Sequence, residues 1–122
     1  MSDLAEKIRN SRRLEITVGK MKFFGRRATT AEYYKMLRQQ AEDVEVVKML
    51  VDGWENVQES DLFEGSSDKK IPFDKEIFCE AIEDLPKIWK PIVEKIVEST
   101  SEHMKKKEED EKNLKAGSKQ AS

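Results

Sequence analysis

A chain of 122 residues, 39% charged and 37% hydrophobic, has material for one domain with a modest core and not for two. No apolar run approaches the roughly 20 residues that cross a bilayer, and the start of the chain, with Asp3, Glu6 and Lys7, lacks the apolar stretch of a signal peptide, so a soluble, cytoplasmic protein is expected. The net charge of −2 conceals ten Lys or Arg against four Asp or Glu over residues 1–40, and seven against sixteen over 41–98, a polarity that favours a charged partner or contact between copies of the chain.

Residues 1–13 hold Leu4 and Ile8 among charges and read as either a short helix or a flexible arm. A single α-rich domain is predicted over 14–98. Leu14, Ile16 and Val18 alternate with polar residues as a half-buried strand does. Gly19-Lys20 fits a two-residue turn, and residues 21–24 make the return strand. Phe23 and Phe24 are adjacent, so a regular strand turns only one inward. Phe24 is then a contact residue, or the pair marks a bulge near Gly25.

Thr29 and Glu32 have the spacing of a capping box, which starts a helix near Thr30 carrying Tyr33, Tyr34, Met36 and Leu37. A break near 40–43 separates it from the stretch expected to organise the domain, DVEVVKMLVDGWENV. There Val47, Leu50, Val51 and Trp54 recur at three- and four-residue steps, predicting one amphipathic helix over 43–57. Residues 58–70 are polar and contain Gly65, predicting an exposed loop. Ile71-Pro72-Phe73 returns in extended form. Asp74 caps the next helix, with Phe73 and Phe78 placed as a hydrophobic staple. A last helix opens at Asp84-Leu85-Pro86 and bears the broadest apolar stripe, from Leu85 to Val97. Pro91 interrupts it, predicting a kink or a helix proper that begins there. Residues 99–122 are nearly devoid of apolar side chains, and a mobile charged tail is preferred over continued helix. The fold expected is mainly α (α+β): a four-helix-type compact domain, a small N-terminal β-hairpin and a disordered charged tail.

Catalytic patterns are absent. A nucleophilic arrangement needs His103, the sole histidine, which falls in the expected tail. Cys79, the sole cysteine, reads as a space-filling residue, and one Cys with one His excludes a site built from several such ligands in one chain. The carboxylates read as solvent-facing charge, and the five glycines are scattered rather than gathered into a phosphate loop. No enzyme activity, metal or cofactor is expected. Lys20, Lys22, Arg26 and Arg27, interleaved with Phe23 and Phe24, suggest a small nucleic-acid-binding regulator as the alternative function, although the acidic remainder would repel phosphate. Trp54 and Trp89 suit partner hot spots, but each lies on an apolar stripe and is better placed in the core.

The order of these features resembles the tail assembly chaperones of long-tailed bacteriophages. A short β segment leads through an Arg-rich turn to a helix (MKFFGRRATTAEYY), followed by an Asp-Trp-like step (VDGWENV), an extended re-entry with a capping Asp (IPFDKE) and a proline-opened helix (DLPKIWKPIVEKIVE). The match covers about residues 14–98. Gly53, Pro91 and the charged tail depart from the pattern. The resemblance implies a non-enzymatic protein of phage or prophage, acting in the host cytoplasm and absent from the mature virion. It would bind the tape measure protein, keep it soluble and help recruit the tail tube protein, often with a frameshifted longer form. Phe24, Arg26, Arg27 and Tyr34, with Ile8 in reserve, are the residues expected to meet the partner, and a homo-oligomer is expected.

Overall fold

A computed structural model of the chain describes the backbone of residues 3–121 and the side chains of residues 3–112. Its centre is a three-stranded antiparallel sheet in the order β1-β2-β3. The hairpin of β1 (Arg13–Val18) and β2 (Met21–Arg26) closes through Gly19, whose φ of +60° is the left-handed conformation glycine adopts without penalty. Ile16 and Phe23 pair across it and point into the core, while Phe24 points to the opposite face.

The helix expected over 43–57 is a correction. α3 (Asp43–Leu50) stops where expectation had it continue, and β3 (Val51–Glu55) follows directly, pairing Phe23 with Trp54 and Phe24 with Gly53. The reason is tertiary. β2 has an open edge whose amides and carbonyls need partners, and residues 51–55 supply them. Val51 and Trp54 are core residues on a strand as they would have been on a helix, so the apolar spacing did not discriminate. Gly25 permits the approach: a Cβ there would stand 2.4 Å from the Leu50 carbonyl oxygen and 3.1 Å from the Val51 Cα. The register shifts between Phe24 and Gly25, so the anticipated bulge is present.

The local signals of helix initiation hold. α2 (Thr30–Gln39) begins with a complete capping box between Thr29 and Glu32 and ends at Gln40 with φ 52°. In α5 (Lys75–Ile82), Asp74 accepts a hydrogen bond from the Ile77 amide at 3.1 Å, and the Phe73 and Phe78 rings lie 5.9 Å apart as the staple predicts. Residues 3–10 form a short helix, α1 (Asp3–Asn10), and one turn, α4 (Glu59–Leu62), punctuates the expected loop. The domain is therefore α+β, with six helices among the described residues where four were expected.

The last helix, α6, runs Pro86–Ala121 without restarting at Pro91. Pro91 removes the amide that would meet the Lys87 carbonyl, and Lys87 is exposed, where water can serve it instead. The expected boundary after residue 98 is also corrected. Thr100 is 2% exposed; its Oγ1 donates to the Ile96 carbonyl at 2.8 Å and accepts from the Ala28 amide at 3.1 Å. Residues 99–112 thus continue α6, whereas the side chains of 113–122, also assigned to a mobile tail, lie outside the described residues.

Ile88, Ile92, Val93 and Ile96 of α6 complete a core with Val47, Leu50, Phe78 and Ile82. At its heart Trp54 stands edge-on to Phe23 (6.4 Å, 87°) and Phe73 (4.9 Å, 79°). The indole Nε1 donates to the Ile71 carbonyl at 2.8 Å, which fixes the extended return of residues 71–73.

Two substitutions test this assembly. Gly25→Ala drives a methyl group into backbone that no side-chain movement relieves, and is expected to cost about 3 kcal/mol in urea unfolding. Thr100→Val leaves the Ala28 amide without its acceptor and is expected to cost about 1–3 kcal/mol, an effect that a solvated tail would not show.

Candidate partner-binding surfaces

The four residues expected to meet a partner go to different places. Phe24 is half-buried on the outer face of the sheet, its ring lying over Gly53, where a Cβ would stand 3.5 Å from it. Arg26 is committed to the fold: its two terminal nitrogens donate to the Glu32 carboxylate at 2.6 and 2.8 Å, and Nη1 also reaches the Arg27 carbonyl at 3.2 Å. Arg27 is 8% exposed and donates to the Ala28 carbonyl at 2.9 Å. Tyr34 is the exposed member, 52% accessible and edge-on to Tyr33. They do not form one surface.

The basic hairpin fares similarly as a nucleic-acid grip. Phe23 is fully buried, Lys22 pairs with Glu15 at 3.1 Å, and Lys20 bonds Gln58 and pairs with Asp61 at 3.4 Å. The pleat thus turns Phe23 into the core and Phe24 to the outer face, while Lys20, Lys22 and Arg26 are taken up in ion pairs.

The Arg26–Glu32 pair is partly shielded, and its electrostatics are marked. The hydrogen bond from Arg26, opposed by burial and helped by the Thr29 amide, lowers the Glu32 carboxyl from 4.5 to about 2. Reciprocally the hydrogen bond to Glu32 raises Arg26. Because Glu32 also closes the capping box, the same carboxylate locks the N-terminus of α2 to the end of β2.

Among the described residues, two apolar surfaces remain open. The first was missed in the expected loop. Leu62, Phe63, Ile71, Ile77, Ala81 and Leu85 line a groove of about 700 Å³ between α4 and α5. Phe63 is 73% and Ile77 43% exposed, so large apolar side chains stand in water without a partner. Glu59, Glu64, Glu76, Glu80 and Asp84 line the same groove, giving it an acidic rim. The signal was present in Leu62-Phe63, an apolar pair in a polar segment, and in Ile77, which α5 turns away from the core when Phe78 turns inward.

The second surface is a narrow slit of about 110 Å³ between α2 and α6, lined by Tyr33, Met36, Leu37, Val93 and Val97 among others. α2 buries none of its side chains fully, and Leu37 and Val97 are 57% and 50% exposed. Among the described residues no group of three or more His, Cys, Asp or Glu is arranged to hold a metal ion, and no helix is long and apolar enough to cross a membrane.

His103, expected in a mobile tail, is instead half-buried on α6. Burial first, and then Arg27, Lys107, Arg12 and Lys106, push its pKa down. Cys79 is half-buried against the core, as expected of a space-filling residue.

No protein-family model, curated protein or solved structure matches the chain.

The lowered Glu32 carboxyl carries a pH signature. Its folded pKa lies below the unfolded one, so the pair's stabilisation is complete above about 4.5 and disappears as the pH falls through about 2. Glu32→Gln, which retains a capping side chain, is expected to flatten the urea midpoint across that interval, while the parent chain loses stability steadily.

Proposed function

We propose that this chain is a tail assembly chaperone of a long-tailed bacteriophage or prophage. It binds the tape measure protein in the host cytoplasm, keeps it soluble until tail tube subunits assemble around it, and takes no place in the mature virion. The observation that carries this reading is the groove between α4 and α5, where Phe63 and Ile77 stand exposed inside an acidic rim. Such a groove takes the apolar face of an amphipathic helix, with anchors at three- and four-residue steps and Lys or Arg on the flanks. The order of motifs supports the same reading, from the hairpin and capped α2 through VDGWENV and IPFDKE to the proline-opened α6.

A holdase needs an apolar surface and no chemistry, and it works by shielding a client's unpaired faces from one another. The α2–α6 slit, with Tyr34 nearby in sequence on α2, offers a second patch for the client or for self-association of copies. The nucleic-acid reading draws no support from a hairpin in which Lys20, Lys22 and Arg26 are paired and Phe23 and Arg27 are buried.

Co-expression with the tape measure protein of the same genome tests the proposal. The parent chain is expected to bring the large protein into the soluble fraction. The double variant Phe63→Asp/Ile77→Asp, altering only exposed side chains, is expected to fold normally yet lose roughly tenfold or more in client affinity. Unchanged solubilisation by the double variant would remove the groove from the mechanism.

A further inference from the structure

A second site lies where the turn after α1, the start of α2 and the 103–107 segment of α6 converge. The turn is tightly held. Ser11 donates through its amide to the Lys7 carbonyl at 3.0 Å, and the Arg12 amide to the Arg9 carbonyl at 3.1 Å. The Arg27 amide then reaches the Arg12 carbonyl at 2.9 Å, which joins the turn to the end of β2. The result is a cleft of about 410 Å³ whose polar lining includes Ser11, Arg12, Arg27, Thr30, His103 and Lys107. None of its lining residues is acidic.

That absence of compensation is unusual for the burial involved. Arg27 is more than nine-tenths buried, yet its guanidinium donates to a main-chain carbonyl and pairs with no carboxylate among the described residues. Buried charges in folded proteins are ordinarily paired. The acids in the adjoining cleft are already engaged, Glu32 with Arg26 and Asp52 with Arg13 at 3.5 Å. Arg12 makes no ion pair with a described residue, so Arg12, Arg27 and Lys107 bring three positive charges to one cavity. The first-turn amides of Thr30 and Ala31, both lining residues, have no acceptor within α2 and add their dipoles.

We propose that this cleft binds a phosphate dianion, either inorganic phosphate or the terminal group of a phosphomonoester. Three converging cations exceed what one carboxylate neutralises, whereas a phosphate near neutral pH carries between about 1.5 and 2 negative charges. Guanidinium groups match its oxygens as forks, and a lysine adds a point charge. A phosphodiester strand carries one charge per phosphate and is served by a stripe of cations, not by a pocket. His103 sits in the same lining and is pushed down by burial and by these same cations, so a bound anion relieves part of that pressure. The site shares no lining residue with the α4–α5 groove and stands or falls separately from the chaperone reading.

The single histidine of the chain makes the test direct, because its imidazole resonances need no assignment. The full chain is titrated with inorganic phosphate, with AMP, and with chloride at matched ionic strength, following the His103 pKa by NMR. Phosphate or AMP is expected to raise that pKa by roughly half a unit or more beyond chloride, and the tighter of the two identifies the natural source of the group. Arg12→Gln and Lys107→Gln, both away from the core, are expected to weaken phosphate binding by about tenfold or more. The proposal is overturned if phosphate and AMP move His103 no further than chloride does, or if both variants bind phosphate as the parent does. It is equally overturned if an unphosphorylated dT oligonucleotide binds more tightly than either and loses affinity steeply with salt.

Discussion

The structure depends on how closely the backbone of β2 meets the chain at Leu50–Val51. Gly25 has no side chain to hold them apart; its missing Cβ would overlap the Leu50 carbonyl oxygen. Once that contact forms, the chain leaving α3 has a strand edge beside it, and extending along that edge pairs backbone groups that would otherwise remain unsatisfied. Trp54 is thereby delivered to Phe23 and Phe73, and Phe78 packs against all three, so four aromatic rings share one cluster. The indole hydrogen bond to the Ile71 carbonyl then sets how the chain re-enters before α5.

α6 closes the other side of this core, and one hydroxyl shows how far its role extends. Thr100 bridges the Ile96 carbonyl and the Ala28 amide, tying a segment of charged composition to the link between β2 and α2. α2 itself is attached mainly at its start, through the Thr29–Glu32 box and the Arg26 fork, and none of its side chains is fully buried. An element held by its cap more than by its face is among the easier parts of a fold to shift.

Charge is sorted as carefully as apolar surface. The acidic middle of the chain rims the α4–α5 groove, and the basic first third gathers around the turn after α1. Within the basic group the arginines differ in function. Arg13 and Arg26 have carboxylate partners and serve the fold, whereas Arg12 and Arg27 share a cleft with Lys107 and His103 and have none among the described residues. The two ends of the charge distribution therefore offer different chemistry, an apolar groove with an acidic rim and a cleft lined by cations unpaired among the described residues.

Features that depend only on chain neighbours were legible before any fold was known. Gly19 in the hairpin turn, the Thr29–Glu32 box, the Asp74 cap and the Phe73–Phe78 staple each involve residues a few positions apart, so local geometry alone selects them. Residues 51–55 are the counterexample, since Val51 and Trp54 reach the core on either a helix or a strand and only the open edge of β2 decides. Thr100 gave no sign of burial because its partner, Ala28, lies far back in the chain. The same holds for both surfaces. Phe24, Arg26, Arg27 and Tyr34 are contact candidates by residue type, but the pleat, an ion pair and burial send them to separate places. The groove and the basic cleft are made from distant segments, and that proximity is a property of the packed chain, which no local pattern encodes.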